Sequence, residues 1–561
     1  MQTLDNATEE LRNINPLDYN ISILAQQPGV GKSTWARDYC NMHTEIESIG
    51  IISKRHNFLK ECENEIKEFC HWEGMERSCQ NPYRAWFQKL DILNRSIICG
   101  HCSKRNNCKY NKQFKKKSRV GAPTEYLDPK YFGGFDILFI EEKITETKQY
   151  KYEPASLITA LSALKSEIRI KKQTDLIERF NEAVKNNDYK YLDASFSAIR
   201  KLKYSCLRRA VEERDKELIK GIKSLDLEML GGYLKYGRIH AFDRDEYWEP
   251  QIFKAFNLAK KGTRVVLLHA GFDEELFKKL FERYENEFGK SGLTHKIYTS
   301  DVGNQETNCY HITGKAFGKS SFDHYYKKLA EDFLTKLNKK YNKDEIYIIT
   351  FKKHCVSNLP KGKDAELSYG FDSMHFGDTS GLNKFEDKKV LVIIGTFSLP
   401  VRDMVEKYNG LFNQDLNPPY FERIAERQVK EEHKHPDFRG TEIEIIQRVE
   451  KENEQYDVIH RTRGLRSPKE IYVLGIVPEK IKKEFSYIPV NENEIDGLLN
   501  GEPKEEDNRC INPNIDLAKM TDLFRQKKNN TEIARELKIR IDRKYDNDLV
   551  KMLRAHFTDR K

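Results

Sequence analysis

No stretch of this sequence stays apolar for long enough to cross a membrane. The longest uninterrupted runs, such as VLVIIG at 390–395, have strand length, against the roughly 20 residues a spanning helix needs. The opening MQTLDNATEELRN is polar and acidic, so it lacks the apolar segment of a signal peptide. These two absences predict a soluble intracellular protein, cytoplasmic or nucleoid-associated, with no membrane partner. A large charge imbalance is missing too: 97 Lys and Arg against 88 Asp and Glu leave +9, too small an excess to establish a nucleic-acid partner by itself. Internal repeats are absent. Proline is missing from 155–249, and acids are missing from 98–119.

Each local absence marks something present. Residues 98–119, ICGHCSKRNNCKYNKQFKKKSR, carry eight Lys and Arg with no acid among them. Eleven cysteines without an export signal argue against a disulfide framework and for metal binding wherever they cluster. At 561 residues the chain is too long for one core, since single cores rarely grow beyond about 250 to 300 residues.

Short β-branched runs recur at 20–26, 48–53, 95–99, 135–141, 264–269, 345–351, 389–395 and 470–475. Most adjoin amphipathic helical stretches, the pattern of parallel-sheet α/β domains. The spacing predicts two such domains, at 1–325 and 326–487. Two segments interrupt the first: a cysteine- and lysine-rich insertion at 70–119, and a helical one at 150–235 with apolar positions three and four apart, as in Phe196, Ile199, Leu202, Cys206 and Ala210. A polar linker at 488–513 precedes a helical unit at 514–561. There, NNTEIARELKI and DLVKMLRAHF have the pattern of a helix-turn-helix.

QQPGVGKST at 26–34 follows an apolar strand and opens a helix, the context of a phosphate-binding P-loop. Backbone amides of Gln27, Pro28, Gly29, Val30, Gly31, Lys32, Ser33 and Thr34 form this ATP-binding segment, proline contributing shape alone. Lys32 is expected to reach the outer phosphates and Ser33 to ligate Mg²⁺. Gln26 stands where the motif has its first glycine. FDILFIEEK ends a strand in two acids, Glu141 for the Mg²⁺ shell and Glu142 as catalytic base.

Between Lys32 and Glu142 lie Cys79, Cys99, Cys102 and Cys108, spaced C-x19-C-x2-C-x5-C. Four thiolates so spaced suit zinc or a [4Fe-4S] cluster, and spacing alone does not choose. Cys70 and His71 are substitute ligands. In this order, P-loop, four cysteines, APTEYLDP at 122–129 and acidic strand, the chain resembles the XPD/DinG-type iron-sulphur helicases of superfamily 2. The resemblance favours the [4Fe-4S] cluster over zinc and places an arch-like domain at 150–235. It implies two RecA-like domains, hence an α/β fold class with both insertions and a small helical C-terminal unit.

The resemblance continues through VVLLHAGFDEELF at 265–277 and IYIITFKK at 346–353. HFGDTSGLNKFEDKKVLVIIGT at 375–396 puts Gly381 and Asn383 beside the nucleotide. DVIHRTRGLR at 457–466 resembles the final motif, whose arginines reach the phosphates, here Arg461 first and Arg463 second. Similar H-R-x-R forms occur in helicase-like proteins of plasmids and viruses. The implied activity is an ATP-dependent DNA helicase or translocase acting on single-stranded or forked DNA, with RNA not excluded. Lys54, Arg55 and His56, and Lys104, Arg105, Lys109 and Tyr110 from the basic run, are the candidate strand contacts. Two other readings share these folds: a nucleic-acid-stimulated ATPase that remodels protein–DNA complexes without unwinding, and a nucleic-acid-binding protein that has lost turnover.

Overall fold

A computed structural model describes residues 3–81, 99, 102, 107–115, 118–141, 146–166, 168, 170–213, 215, 219–220, 222, 225, 227–234, 246–269, 272–313, 326–355, 371–376, 386–432, 437–460 and 463–499. The helical unit expected at 514–561 lies outside these residues. So does the strand expected at 95–99, apart from Cys99.

The first strands in the chain are β1 (Ile21–Leu24), β2 (Ile49–Ile52), β3 (Phe69–His71), β4 (Arg119–Ala122) and β5 (Ile137–Ile140). β6 (Thr147–Lys151) and β7 (Glu246–Pro250) flank the helical insertion, followed by β8 (Arg264–Leu268) and β9 (His295–Tyr298). The remainder are β10 (Asn304–Ile312), β11 (Ile346–Thr350), β12 (Asp372–His375), β13 (Val390–Ile394), β14 (Glu470–Leu474) and β15 (Phe485–Val490). Among the described residues seven strands form one sheet in the order β3-β4-β2-β5-β8-β1-β9, and six form another, β12-β11-β13-β14-β10-β15. Within each sheet every described pairing is parallel. This is the two-sheet α/β class expected from the sequence.

The central strands explain themselves. ISIL, IGII and ILFI are buried at every position, as a parallel strand covered on both faces by helices must be. One boundary falls elsewhere than expected: β10, ahead of residue 326, pairs with β14 and β15 in the second sheet. β15 also carries that sheet to Val490, past 487.

The helices Pro154–Ser166, Lys171–Lys185, Tyr189–Glu213 and Leu227–Gly232 enclose a core of their own, including Leu161, Phe180, Ile199, Ala210 and Leu230. The expected face of the long helix is the buried one, with Phe196 packed against it and its ring filling the space above Gly231. The antiparallel pair β6–β7 closes the insertion at its base.

A second packing relation does not follow chain order. The helices Val401–Phe412 and Pro418–Glu432 lie between β13 and β14. Their Met404, Val405, Leu411 and Phe421 nevertheless share one buried core with Phe253, Phe256, Leu276 and Phe277, which cover the first sheet. Arg283 locks this junction. It is buried, donates to the carbonyls of Gly410 (2.9 Å), Leu411 (2.6 Å) and Trp248 (2.7 Å), and pairs with Glu287 at 2.6 Å. A separate small unit comprises Glu331–Lys343 with residues 493–499, and in it Lys336 pairs with Asp496. Among the described residues no helix is long and apolar enough to cross a membrane.

Candidate active site

Because β2, β5, β8 and β1 are parallel, the loops after them open on one edge of the first sheet, where ligands of such sheets bind. The P-loop follows β1, Glu141 follows β5, and Ser53 to His56 follow β2. Gly29 and Gly31 take φ of 98° and 103°, a conformation open to glycine and strained for other residues. Gly31 is thereby the N-cap of the helix Lys32–Met42, which has no side-chain cap, the arrangement that anion sites at helix N-termini use. The helix is held on the sheet by Trp35, Ala36, Tyr39 and Cys40, all buried, with Trp35 edge-on to Phe139 at 5.6 Å. Its far end is gripped by Arg119, the last member of the basic run. That guanidinium is buried and donates to the carbonyls of Cys40, His43 and Ile46.

Lys32 is buried and its Nζ donates to the carbonyls of Gln26 (2.6 Å) and Gln27 (2.9 Å). Gln26 therefore serves the loop through its backbone, with no need for the glycine that the motif usually has there. Burial pushes the Lys32 ammonium down from its ordinary value to about 7; the Asp457 carboxylate pulls it back up, Arg463 pushes it down, and Glu141 pulls it up. Ser33 and Glu141, the expected Mg²⁺ pair, are brought together, with the Ser33 Oγ donating to Glu141 Oε1 at 2.5 Å. Ser53 Oγ donates to the other oxygen at 3.2 Å, and the Arg55 guanidinium pairs with the same carboxylate.

Two arginines reach the P-loop from the segment preceding β14. Arg466 donates from Nε and Nη2 to the Gly29 carbonyl, each at 3.2 Å. Arg463 stands above Gly29, its Nη1 3.5 Å from where a Cβ would be. Arg463 adopts φ of 60°, a left-handed conformation uncommon outside glycine and costing on the order of 1–3 kcal/mol. The turn is pinned to β10 through the Gly464 carbonyl, which accepts from Asn304 Nδ2 (2.7 Å) and Thr307 Oγ1 (2.8 Å). Arg463 is the second of the two arginines expected from the final motif. Arg466 was not expected, although the spacing Arg463-x-x-Arg466 carried the signal. Glu142, Arg461, Gly381 and Asn383 lie outside the described residues.

The expected strand contacts are placed less uniformly. Lys54 pairs with Glu146, and Arg55 turns to Glu141 and lies over Phe58 at 5.0 Å. His56 Nδ1 meets His71 Nε2 at 3.4 Å, and burial followed by the nearby His56 lowers His71 to about 4. Lys109 is exposed and pairs with Glu73 at 3.2 Å. Tyr110 is 5% exposed and set edge-on against Phe114 at 5.2 Å, so it presents no free face to a base. Lys104 and Arg105 lie outside the described residues.

Cys79, Cys99 and Cys108 are buried, and Cys102 is half-buried. Burial raises the Cys79 thiol, and the thiols of Cys108, Cys99 and Cys102 are near enough to raise it further. They are not drawn into a coordination sphere: among the described residues no group of three or more His, Cys, Asp or Glu side chains is placed to hold a metal ion.

No protein-family model matches this chain, and no curated protein matches it. Among solved structures it is similar to that of S. tokodaii Xpd4, with 11% identity over 86% of this chain and 99% of the other, at a TM-score of 0.42. So loose a likeness decides neither fold nor activity.

Proposed function

We propose that this chain is an ATP hydrolase that works on nucleic acid as a helicase or translocase. The observation that carries this reading is the meeting, at Gly29, of a phosphate loop from one parallel sheet with Arg463 and Arg466 from the segment feeding the other. Phosphoryl transfer needs positioning and charge neutralisation more than covalent chemistry. The P-loop amides and Lys32 cradle the phosphates. Ser33 and Glu141 are the side chains that would hold Mg²⁺, which supplies further neutralisation there. Glu142 orients the attacking water. The two arginines neutralise charge developing on the transferred group, tying turnover to the placement of one sheet against the other.

The four cysteines, with 19, 2 and 5 residues between them, have the donor chemistry for a [4Fe-4S] cluster or zinc, although among the described residues they are not placed together to hold an ion. Such a centre would brace the insertion that carries the basic run. DNA in single-stranded or forked form is the partner the reading favours.

The test is ATP hydrolysis by purified protein with and without single-stranded DNA, followed by strand separation on a forked duplex. Stimulated hydrolysis that Lys32→Ala abolishes supports the motor. Absence of hydrolysis under both conditions would replace it with a binding protein, and hydrolysis without strand separation would leave a translocase or remodeller.

A further inference from the structure

The P-loop and the arginine turn are joined by more than their contact at Gly29. Glu484, at the end of the helix Glu479–Glu484 and just ahead of β15, is 4% exposed. Its Oε1 accepts from Tyr456 Oη at 2.8 Å and from Gln27 Nε2 at 3.4 Å, and its Oε2 from His460 Nε2 at 2.8 Å. A carboxylate buried to this degree is costly unless its oxygens are satisfied, and here three donors converge on it from two parts of the chain.

Each donor leads to the site. Gln27 belongs to the P-loop, and its carbonyl is one of the two that hold Lys32 Nζ. Its side chain is fixed by Val302 O, which accepts at 3.2 Å, and by Ser300 Oγ, which donates to it. His460 opens the arginine turn: its carbonyl accepts from Arg463 N at 3.1 Å, and Arg463 O in turn accepts from Arg466 N at 2.8 Å. Tyr456 packs edge-on to His460 at 4.6 Å. Burial and the adjacent Glu484 carboxylate keep its phenol protonated and therefore a donor.

We infer that Glu484 is a positioning residue for phosphoryl transfer: it holds the Gln27 end of the P-loop and the His460 end of the arginine turn at one separation, so that Arg463 and Arg466 stand over Gly29. This inference rests on the ATP-hydrolase reading. Glu484 touches no reacting atom, and its effect passes through the arginines.

Two consequences separate positioning from general support. Glu484→Ala should lower kcat for ATP by about 10-fold or more while the affinity for a fluorescent ATP analogue changes by less than about threefold, because Lys32 and the loop amides remain. Added to Arg463→Ala, Glu484→Ala should cost little further, since residues acting through one another are not additive. Unchanged kcat in Glu484→Ala, or losses that multiply in the double variant, would overturn the inference. If Glu484→Ala does not fold, Glu484→Gln keeps shape and one acceptor: a kcat loss of a few fold without a lower melting temperature upholds the inference, and normal kcat overturns it. Should wild type hydrolyse no ATP, the functional reading falls and backbone amide exchange decides this one. Faster exchange at both 27–31 and 456–466 in Glu484→Gln upholds the tie, and protection unchanged at either segment defeats it.

Discussion

Arg466 and Gly29 are 437 residues apart in the chain, and the guanidinium of one grips the carbonyl of the other with two hydrogen bonds of 3.2 Å. Arg463, three residues earlier, stands over the same glycine. If these arginines serve the transition state, Arg463→Ala and Arg466→Ala should each lower single-turnover ATP hydrolysis by about 10²- to 10³-fold, with ATP binding falling much less. A merely basic surface would show small losses, similar for both changes and suppressed by salt.

ATP affinity should depend on pH through Lys32. Free of nucleotide, its ammonium is lowered to about 7; bound against phosphate, the charged form is favoured and the value rises. Binding then takes up a proton, so affinity is full below about 7 and weakens by up to roughly tenfold per pH unit above it. Titration calorimetry between pH 6.5 and 9 measures this. A slope that persists in Lys32→Met would assign the effect to another group.

Glu141 accepts from Ser33 and Ser53 and is paired with Arg55. Glu141→Gln keeps the shape and removes the charge a divalent cation needs. The Mg²⁺ concentration giving half-maximal hydrolysis should rise about tenfold or more. An unchanged Mg²⁺ requirement would move the metal ligand elsewhere, with Glu142 first in line.

If the four cysteines hold a metal, Cys102→Ser should remove it and depress strand separation more than basal hydrolysis, because the cysteines lie in the insertion that carries the basic run and not in the phosphate loop. Elemental analysis of anaerobically purified protein, with absorption near about 400 nm as the mark of an iron-sulphur cluster, reads the outcome. Neither iron nor zinc in wild type would end the metal assignment.

Arg283→Ala should destabilise the junction between the helices of 401–432 and the first sheet. It removes three carbonyl bonds and the cation paired with the half-buried Glu287, which keeps a bond from Tyr247 Oη, a change that approaches the roughly 3–5 kcal/mol of a broken buried pair. Calorimetric unfolding should shift down by several degrees, and Arg283→Lys should not restore it, since one ammonium cannot span those partners. A melting profile like wild type would show that the hydrophobic core suffices.

Local pattern was enough to read the central architecture. β1, β2, β5, β8, β11, β13 and β14 are mostly apolar runs, buried at every position but the first of β8 and of β14, and the P-loop announces itself because two glycines must take positive φ before a helix that starts at a lysine. Other strands of the two sheets have no such signature. β3 has three residues, β4 contains Gly121, β12 reads DSMH, and β10 alternates polar residues with Thr307, Cys309 and Ile312. They are strands because a neighbour's backbone groups required partners, and adjacency is not written in a local window. The site divides in the same way. Lys32, Ser33, Glu141 and Arg463 carry recognisable chemistry in short motifs. Glu484, Arg466 and the Arg283 lock do not, because a glutamate or arginine in a polar helix or turn usually faces solvent. What makes Glu484 and Arg283 matter is burial beside groups as far as 457 positions away, where water no longer competes and a single carboxylate or guanidinium must satisfy what the fold has enclosed; Arg466, itself exposed, matters through its reach to Gly29, 437 positions away.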